Sequence, residues 1–263
     1  MLKAILAAKW GALKSQLQYP VDFFLHVVGI SLIGVVEVLS ILVLTNTFQS
    51  IGGWSFWEIG FMGSLWRMAH GVHHIFFIPF WWQGRLVKNG EFDRMLVRPV
   101  HPIFQIMTQG HPLPAIGELL PAVALFAITG PRVAVEWNLF NILFLLIVIF
   151  SGSVIEWAVF LFFSAFDFWF IETSNLRGIP GPFLWQVAKY PIHIYGRVFP
   201  LVITFVFPYA FMAYYPTHYF FQRDVEIFYD FFTYVTPLVA IVSLSIAYTF
   251  WSIGLKHYQS TGS

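Results

Sequence analysis

The feature that most constrains this chain is a set of long apolar runs separated by short polar stretches. The run from Leu139 to Phe163 contains a single charged residue, Glu156. A helix needs about 20 predominantly apolar residues to cross the hydrocarbon core of a bilayer, so this run is long enough to span it. Only 10% of the 263 residues are charged, against roughly a quarter in soluble domains. The chain is therefore expected to be an integral membrane protein.

The apolar runs indicate helices rather than a membrane barrel, because they are long and lack strict alternation of polar and apolar residues. We expect an all-α fold with six transmembrane helices in a single domain over residues 1–263. The predicted spans are 23–44, 57–82, 112–129, 139–163, 198–214 and 231–255.

Residues 1–20 have a different pattern from the spans. Leu6, Trp10 and Leu17 share one helical stripe with Leu2 and Leu13, while the lysines lie largely off that stripe. A basic amphipathic helix of this kind lies in the membrane interface rather than crossing the bilayer. We therefore predict an interfacial helix before the first span.

The Lys and Arg residues are distributed unevenly between the polar stretches. All but three of the fourteen lie in residues 1–20, 83–111 and 166–197 or at the C-terminus. The intervening loops carry only Arg132 and Arg223, and Arg67 lies within a span. Because cytoplasmic loops are enriched in basic residues, we predict that both termini and the 166–197 stretch are cytoplasmic.

The charged stretch from Gly90 to Pro102 lies between two spans. Its apolar residues Phe92, Met95 and Leu96 recur at spacings of three and four, which predicts one or two turns of amphipathic helix ending at Pro99. A short amphipathic helix on the cytoplasmic face is expected to contact a partner protein through these apolar residues.

A second polar constellation lies inside the span 57–82. Arg67, His70 and His74 share one helical face, and His73 points elsewhere. A buried arginine needs a partner, and the carboxylates available within spans are Glu37, Glu118 and Glu156. The preferred interpretation is a buried polar face that lines a substrate pathway, with no metal. The alternative is a metal site, because two histidines at i and i+4 have the spacing of two ligands of one ion.

The sequence lacks several motifs that would indicate chemistry within the chain. It has no phosphate-binding loop of the form G-x-x-x-x-G-K-[ST], no nucleophile elbow and no H-E-x-x-H pair. It has no cysteine, which excludes disulfides, zinc–thiolate sites and thiol catalysis. A net charge of +1 gives no indication of a nucleic-acid partner. We expect no enzymatic activity and no cofactor bound by this chain.

Several features of the chain together resemble a known family. An interfacial basic helix, six spans and the pattern G-x-x-D-x-x-L-x-R-P after the second span are similar to permease subunits of ABC transporters of the type-2 export class, and more narrowly to a bacterial six-span subfamily. The closing Phe250-Trp251 and Lys256-His257-Tyr258 also fit that subfamily. The pattern is carried by Gly90, Asp93, Leu96, Arg98 and Pro99.

The resemblance implies an ATP-driven exporter in the bacterial cytoplasmic membrane. Two permeases, identical or homologous, would pair, and separate ATPase chains that bind ATP and Mg²⁺ would dock on each through a coupling helix. It also implies a re-entrant helical hairpin outside the membrane, over Val206 to Tyr229. By resemblance, the coupling helix comprises Phe92, Asp93, Arg94, Met95, Leu96 and Arg98.

Two other functions remain open at this stage. An ion-coupled carrier would use Glu37, Glu118 or Glu156 as a relay, and a metal transporter or membrane enzyme would be built around His70 and His74. Copurification of an ATPase would separate the exporter from both alternatives.

Overall fold

The computed structural model describes residues 2–48, 50–109, 113–170, 173–178, 180–181 and 184–260. These residues form helices and turns, with no β-strand among them, so the predicted all-α membrane class is confirmed. The α-helices are α1 (Leu2–Leu17), α2 (Pro20–Phe48), α3 (Phe56–Phe76), α4 (Gln83–Lys88), α5 (Glu91–Leu96), α6 (Pro102–Thr108), α7 (Leu113–Thr129), α8 (Leu139–Ser164), α9 (Leu184–Ala188), α10 (Val198–Leu201), α11 (Tyr214–Phe221) and α12 (Thr236–His257).

Three helical segments among the described residues are long and apolar enough to cross a membrane unaided. They are Ala115–Arg132, Leu139–Phe168 and Thr236–His257. Two bent helix pairs meet the same criterion jointly, and counting each pair as one span raises the number to five. The first pair joins α1 to α2 at 108°, so α1 lies roughly across the axis of α2.

Helix α3 occupies the centre of the bundle and is almost wholly buried. Because α7 and α8 cover it, α3 can carry a charged residue such as Arg67 without exposing it to lipid. Glycines permit the close approach. A Cβ on Gly71 would lie 2.6 Å from Leu119 of α7, and a Cβ on Gly152 of α8 would lie 2.9 Å from Ala69. The crossings therefore bring the polar faces of three helices together.

The helix in the predicted span 57–82 ends earlier than expected. Helix α3 stops at Phe76, and Ile78–Trp82 continues as a 3₁₀ helix with Pro79 in its first turn. Proline cannot donate a backbone hydrogen bond, so the regular α-helical ladder does not continue through this point.

Two groups of contacts define opposite ends of the bundle. At one end, Phe92 of α5 packs edge-on against Phe168, and Phe168 packs against Trp251 near the end of α12. At the other end, Trp54 before α3 donates a hydrogen bond to Glu226, which precedes α12. We call these the α5 end and the Trp54 end.

The stretch 166–197 connects the two ends rather than returning to one of them. Phe168 lies at the α5 end, whereas His193 Nε2 lies 2.9 Å from the carbonyl oxygen of Gly52 at the Trp54 end. The structure therefore differs from the expectation that this whole stretch is a cytoplasmic loop. The described part contains only short helical segments, and glycines or prolines lie between some of them. No continuous apolar run therefore marks the connection.

The run predicted as the fifth span, 198–214, does not form one straight helix. Helix α10 continues as a short π-helix and then bends by 72° at a proline before the next helical segment. Near this bend, Met212 lies close to Gly152, which is midway along α8. A Cβ added to Gly152 would be 3.5 Å from the Cα of Met212. Helix α11 then leads back to the Trp54 end, where Phe221 packs against the ring of Trp54. His193, before this segment, and Phe221, at its end, thus both contact residues of the Trp54 end.

Candidate functional site

Helix α5 is bounded by residues that suit a short helix between two turns. Gly90 precedes it with a φ of 68°, a left-handed conformation that glycine adopts without strain. Glu91 lies in the first turn, where a negative charge is favourable, and its carboxylate is 3.9 Å from Arg94. This pair is solvent-exposed and contributes little to stability. The structure therefore contains the predicted short helix, beginning at Glu91.

Two of the three apolar residues of α5, Phe92 and Met95, face the interior of the protein. Phe92 is 0% exposed, and its ring lies 5.3 Å from that of Phe168 and 5.2 Å from that of Tyr258. Met95 is also buried, and its carbonyl oxygen accepts a hydrogen bond of 2.7 Å from Gln105. The structure differs here from the expectation that Phe92 and Met95 are exposed to a partner, because the chain covers both with its own residues.

Asp93 of α5 accepts hydrogen bonds from the C-terminal segment. The Tyr258 hydroxyl donates a hydrogen bond of 2.8 Å to one carboxylate oxygen, and the Ser260 hydroxyl donates one of 2.7 Å to the other. Burial and the hydrogen bond to this carboxylate raise the pKa of Tyr258 to about 12. Asp93 therefore links the end of α12 to α5, a role that its position in the sequence did not predict.

The outward face of α5 and the residues after it combine apolar and basic side chains. Leu96 is 43% exposed and Val97 is 84% exposed. Arg94 and Arg98 are exposed beside them. We call these four residues the α5 surface. Of the residues predicted to contact a partner, Arg94, Leu96 and Arg98 are accessible, and Val97 is an additional one.

Inside the bundle, Arg67 of α3 forms an ion pair with Glu118 of α7. The distance from Arg67 Nη1 to Glu118 Oε2 is 2.5 Å, and Arg67 is only 6% exposed. A buried charge is tolerated only when it is paired and hydrogen-bonded, so each residue requires the other. Glu37, a third carboxylate expected near Arg67, lies on α2 with its side chain outside the described part of the structure.

The histidines of α3 lie next to this ion pair. His70 Nδ1 is 2.7 Å from Oε1 of the fully buried Glu156 of α8, and its ring stacks on Trp66. The His74 ring lies 4.3 Å from the His70 ring. One ligand atom from each of His70, His74 and Glu118 can be chosen such that all three lie within 4.8 Å of one another. The structure thus brings together Arg67, His70, His74, Glu118 and Glu156.

Sequence analysis missed a polar cluster at the Trp54 end. Glu226 accepts hydrogen bonds from Trp54 Nε1 at 3.0 Å and the Tyr214 hydroxyl at 2.7 Å, and it lies 2.6 Å from His218 Nε2. Burial by itself would raise the pKa of Glu226, but the hydrogen bonds with His218 and Tyr214 outweigh it and lower the pKa to about 2. The i, i+4 spacing of Tyr214 and His218 was the only signal in the sequence, and nothing there pointed to Trp54.

Comparison with known proteins identifies the family. Residues 31–262 match the family described as ABC-2 family transporter protein. No curated protein and no solved structure matches the chain significantly. The match extends over all described helices from the middle of α2 onward, so it includes α5, the buried polar residues and the bent pair. The chain therefore belongs to the ABC-2 family of transporter proteins, and it is a multi-pass membrane permease of the ABC transporter class.

Proposed function

We propose that this chain is the permease subunit of an ATP-driven ABC exporter in the cytoplasmic membrane of a bacterium. It pairs with a second permease, identical or homologous, and is driven by separate ATPase chains that bind ATP and Mg²⁺. The observation that carries the proposal is the family match over residues 31–262. Both termini are cytoplasmic in this proposal, which puts the α5 end on the cytoplasmic side.

The α5 surface is the proposed contact with the ATPase. Leu96 and Val97 are the exposed apolar side chains that a partner could bury, and binding energy at interfaces is concentrated in a few such residues. Arg94 and Arg98 beside them would set orientation more than affinity. Phe92, behind this surface, contributes to the packing of α5 against Phe168 and the end of α12. A displacement of α5 would therefore be transmitted to the membrane helices.

The described contacts are consistent with six crossings of the membrane, of which the irregular stretch 166–197 after α8 is the fifth. The other five are α2, α3, α7, α8 and α12. The segment 198–221 is then a re-entrant hairpin that begins and ends on the external side. Two observations support this count: Phe168 and His193 contact opposite ends of the bundle, and the bend near Met212 reaches only the middle of α8. Irregular backbone at membrane depth is tolerated where protein surrounds it.

The buried polar face is the proposed lining of the translocation pathway. It comprises Arg67, His70, His74, Glu118 and Glu156, with Glu37 of α2 as a further predicted member. Transport then follows from switching between two packings of the permease pair, a balance that ATP binding in the partner chains shifts. α3, α7 and α8 meet at glycines, where small relative shifts would open or close this face.

Cysteine cross-linking tests the proposed contact directly. The chain contains no cysteine, so Val97→Cys creates a unique reactive site on the α5 surface. In membranes that contain the whole transporter, we expect it to cross-link to an ATPase chain. Ser50→Cys, exposed at the Trp54 end, is the matched control and should give no such product. Cross-linking of the ATPase from Ser50→Cys, or its absence from Val97→Cys with the complex intact, would contradict the proposal.

A further inference from the structure

We propose that His70, His74 and Glu118 bind one divalent transition-metal ion, of the class that includes Zn²⁺, between α3 and α7. Their three ligand atoms lie within 4.8 Å of one another. The binding is a property of the permease alone, so it does not depend on the ATPase contact proposed above. Two imidazoles with one carboxylate favour Zn²⁺, Co²⁺, Ni²⁺ or Cu²⁺ over Mg²⁺ and Ca²⁺, which prefer oxygen ligands.

The state of His74 is the strongest indication of a ligand. Both of its ring nitrogens are inaccessible to solvent, and neither has a hydrogen-bond partner among the described residues. Buried polar atoms are nearly always hydrogen-bonded, and an exception requires an explanation such as a bound ion or water. A neutral imidazole can bind a metal through either nitrogen. A metal ion would satisfy one of the two unpaired nitrogens.

His70 is oriented as a metal-binding histidine usually is. Its Nδ1 is engaged with the Glu156 carboxylate at 2.7 Å, and Glu156 is fully buried on α8. Carboxylates commonly hold ligating histidines in this way, fixing the ring and making the other nitrogen more basic. The stacking of His70 on Trp66 at 13° restricts the ring further.

The helices bring the third ligand into reach. Gly71 of α3 has no side chain, so α7 can approach closely: a Cβ added to Gly71 would lie 2.6 Å from Leu119 of α7. Glu118 is the residue next to Leu119. Ligand atoms around a tetrahedral zinc ion are separated by ~3.3 Å, given bonds of about 2.0 Å. The three atoms must therefore close by up to ~1.5 Å, the difference from their present upper limit of 4.8 Å. Rotation of His74, which no described hydrogen bond restrains, would change the distances of its ligand atom from the other two.

Arg67 should weaken metal binding, so removing its charge is expected to raise the affinity for the ion. Its guanidinium lies 2.5 Å from Glu118 Oε2, so it repels a cation at the site and competes for the same carboxylate. Removing this charge with Arg67→Gln should strengthen metal binding by about tenfold or more. A purely structural polar face would show no such gain.

The experiment uses the full-length permease in lipid nanodiscs, purified without a polyhistidine tag and stripped of metal. Titration with Co²⁺, followed by its visible absorption and by displacement with Zn²⁺, should show one ion per chain, unaffected by Mg²⁺. His74→Ala should abolish the spectrum, and Glu156→Gln should weaken binding by roughly 10- to 100-fold. His73→Gln is the matched control, because His73 lies on the same helix with its ring against Phe160.

A second measurement needs no variant. Pulsed electron paramagnetic resonance of Cu²⁺ bound to the wild-type protein should detect two imidazole nitrogens, and this result stands even if His74→Ala does not fold. The proposal is overturned if the permease binds no stoichiometric ion, if Cu²⁺ shows fewer than two imidazoles, or if Co²⁺ binding survives in a folded His74→Ala protein. Failure of these tests would leave ATPase cross-linking at Val97 unaffected.

Discussion

Replacing Phe92 by alanine should unfold part of the permease rather than merely release a partner. Phe92 is 0% exposed and lies between the rings of Phe168 and Tyr258. Truncation of a fully buried phenylalanine typically costs about 3–5 kcal/mol, including the cavity that remains. The two edge-on ring contacts contribute to that sum, at about 0.5–1.5 kcal/mol each. We therefore expect Phe92→Ala to lower the free energy of unfolding by at least ~3 kcal/mol.

The assay is equilibrium unfolding of the purified permease in mixed micelles, without any ATPase present. Val97→Ala is the matched control, because Val97 is 84% exposed one residue after α5 and surface substitutions usually change stability by no more than about 0.5 kcal/mol. If Phe92→Ala proves as stable as Val97→Ala, while the ATPase no longer binds, then Phe92 contacts the partner and the packing described for α5 is incorrect.

Three further predictions concern other contacts. Asp93→Asn should weaken the attachment of the C-terminal segment by ~1 kcal/mol, seen as faster amide hydrogen exchange at Tyr258. The folded-state pKa of Glu226 is lowered from 4.5 to about 2, so its carboxylate stabilises the fold above pH 4.5 and loses this effect as the pH falls through about 2. The difference in melting temperature between wild type and Glu226→Gln should therefore shrink as the pH falls from 4.5 to about 2. A difference that stays constant over this interval would contradict the prediction. Gly152→Val should lower the free energy of unfolding by about 1–3 kcal/mol through overpacking. Adding Ala69→Gly should restore part of this stability in a double-mutant unfolding experiment, because a Cβ on Gly152 would lie 2.9 Å from Ala69.

Much of the fold follows from hydropathy alone, because continuous apolar helices have a strong signature. The run 139–163 corresponds to α8, and 112–129 corresponds to α7 apart from residues outside the described part. Hydropathy fails where protein rather than lipid surrounds the backbone. The described part of the 166–197 stretch is irregular, and its polar and basic residues led us to expect a cytoplasmic loop. Its contacts with residues at both ends of the bundle could not be foreseen from hydropathy.

The candidate sites were predictable in residue type but not in partners. Periodicity placed Arg67, His70 and His74 on one face, and the cost of a buried charge required a carboxylate nearby. Which carboxylate pairs with which residue depends on how α3, α7 and α8 cross, and sequence spacing carries no such information. Periodicity also identified the apolar face of α5. It could not show that the chain itself covers Phe92 and Met95, since Phe168 and Tyr258 are distant in sequence.

The most direct test of the proposed function is recovery of its ATPase. The permease would be purified in mild detergent from the cells that produce it, and the retained chains would be identified and quantified by mass spectrometry. We expect a chain with a phosphate-binding loop at near-stoichiometric amounts. We also expect loss of that chain in Leu96→Asp, whose permease remains folded. Ser50→Asp, which adds the same charge at an exposed position of the Trp54 end, should retain it. A folded wild-type permease that retains no ATPase, or an equal yield of ATPase from Leu96→Asp, would contradict the proposed function.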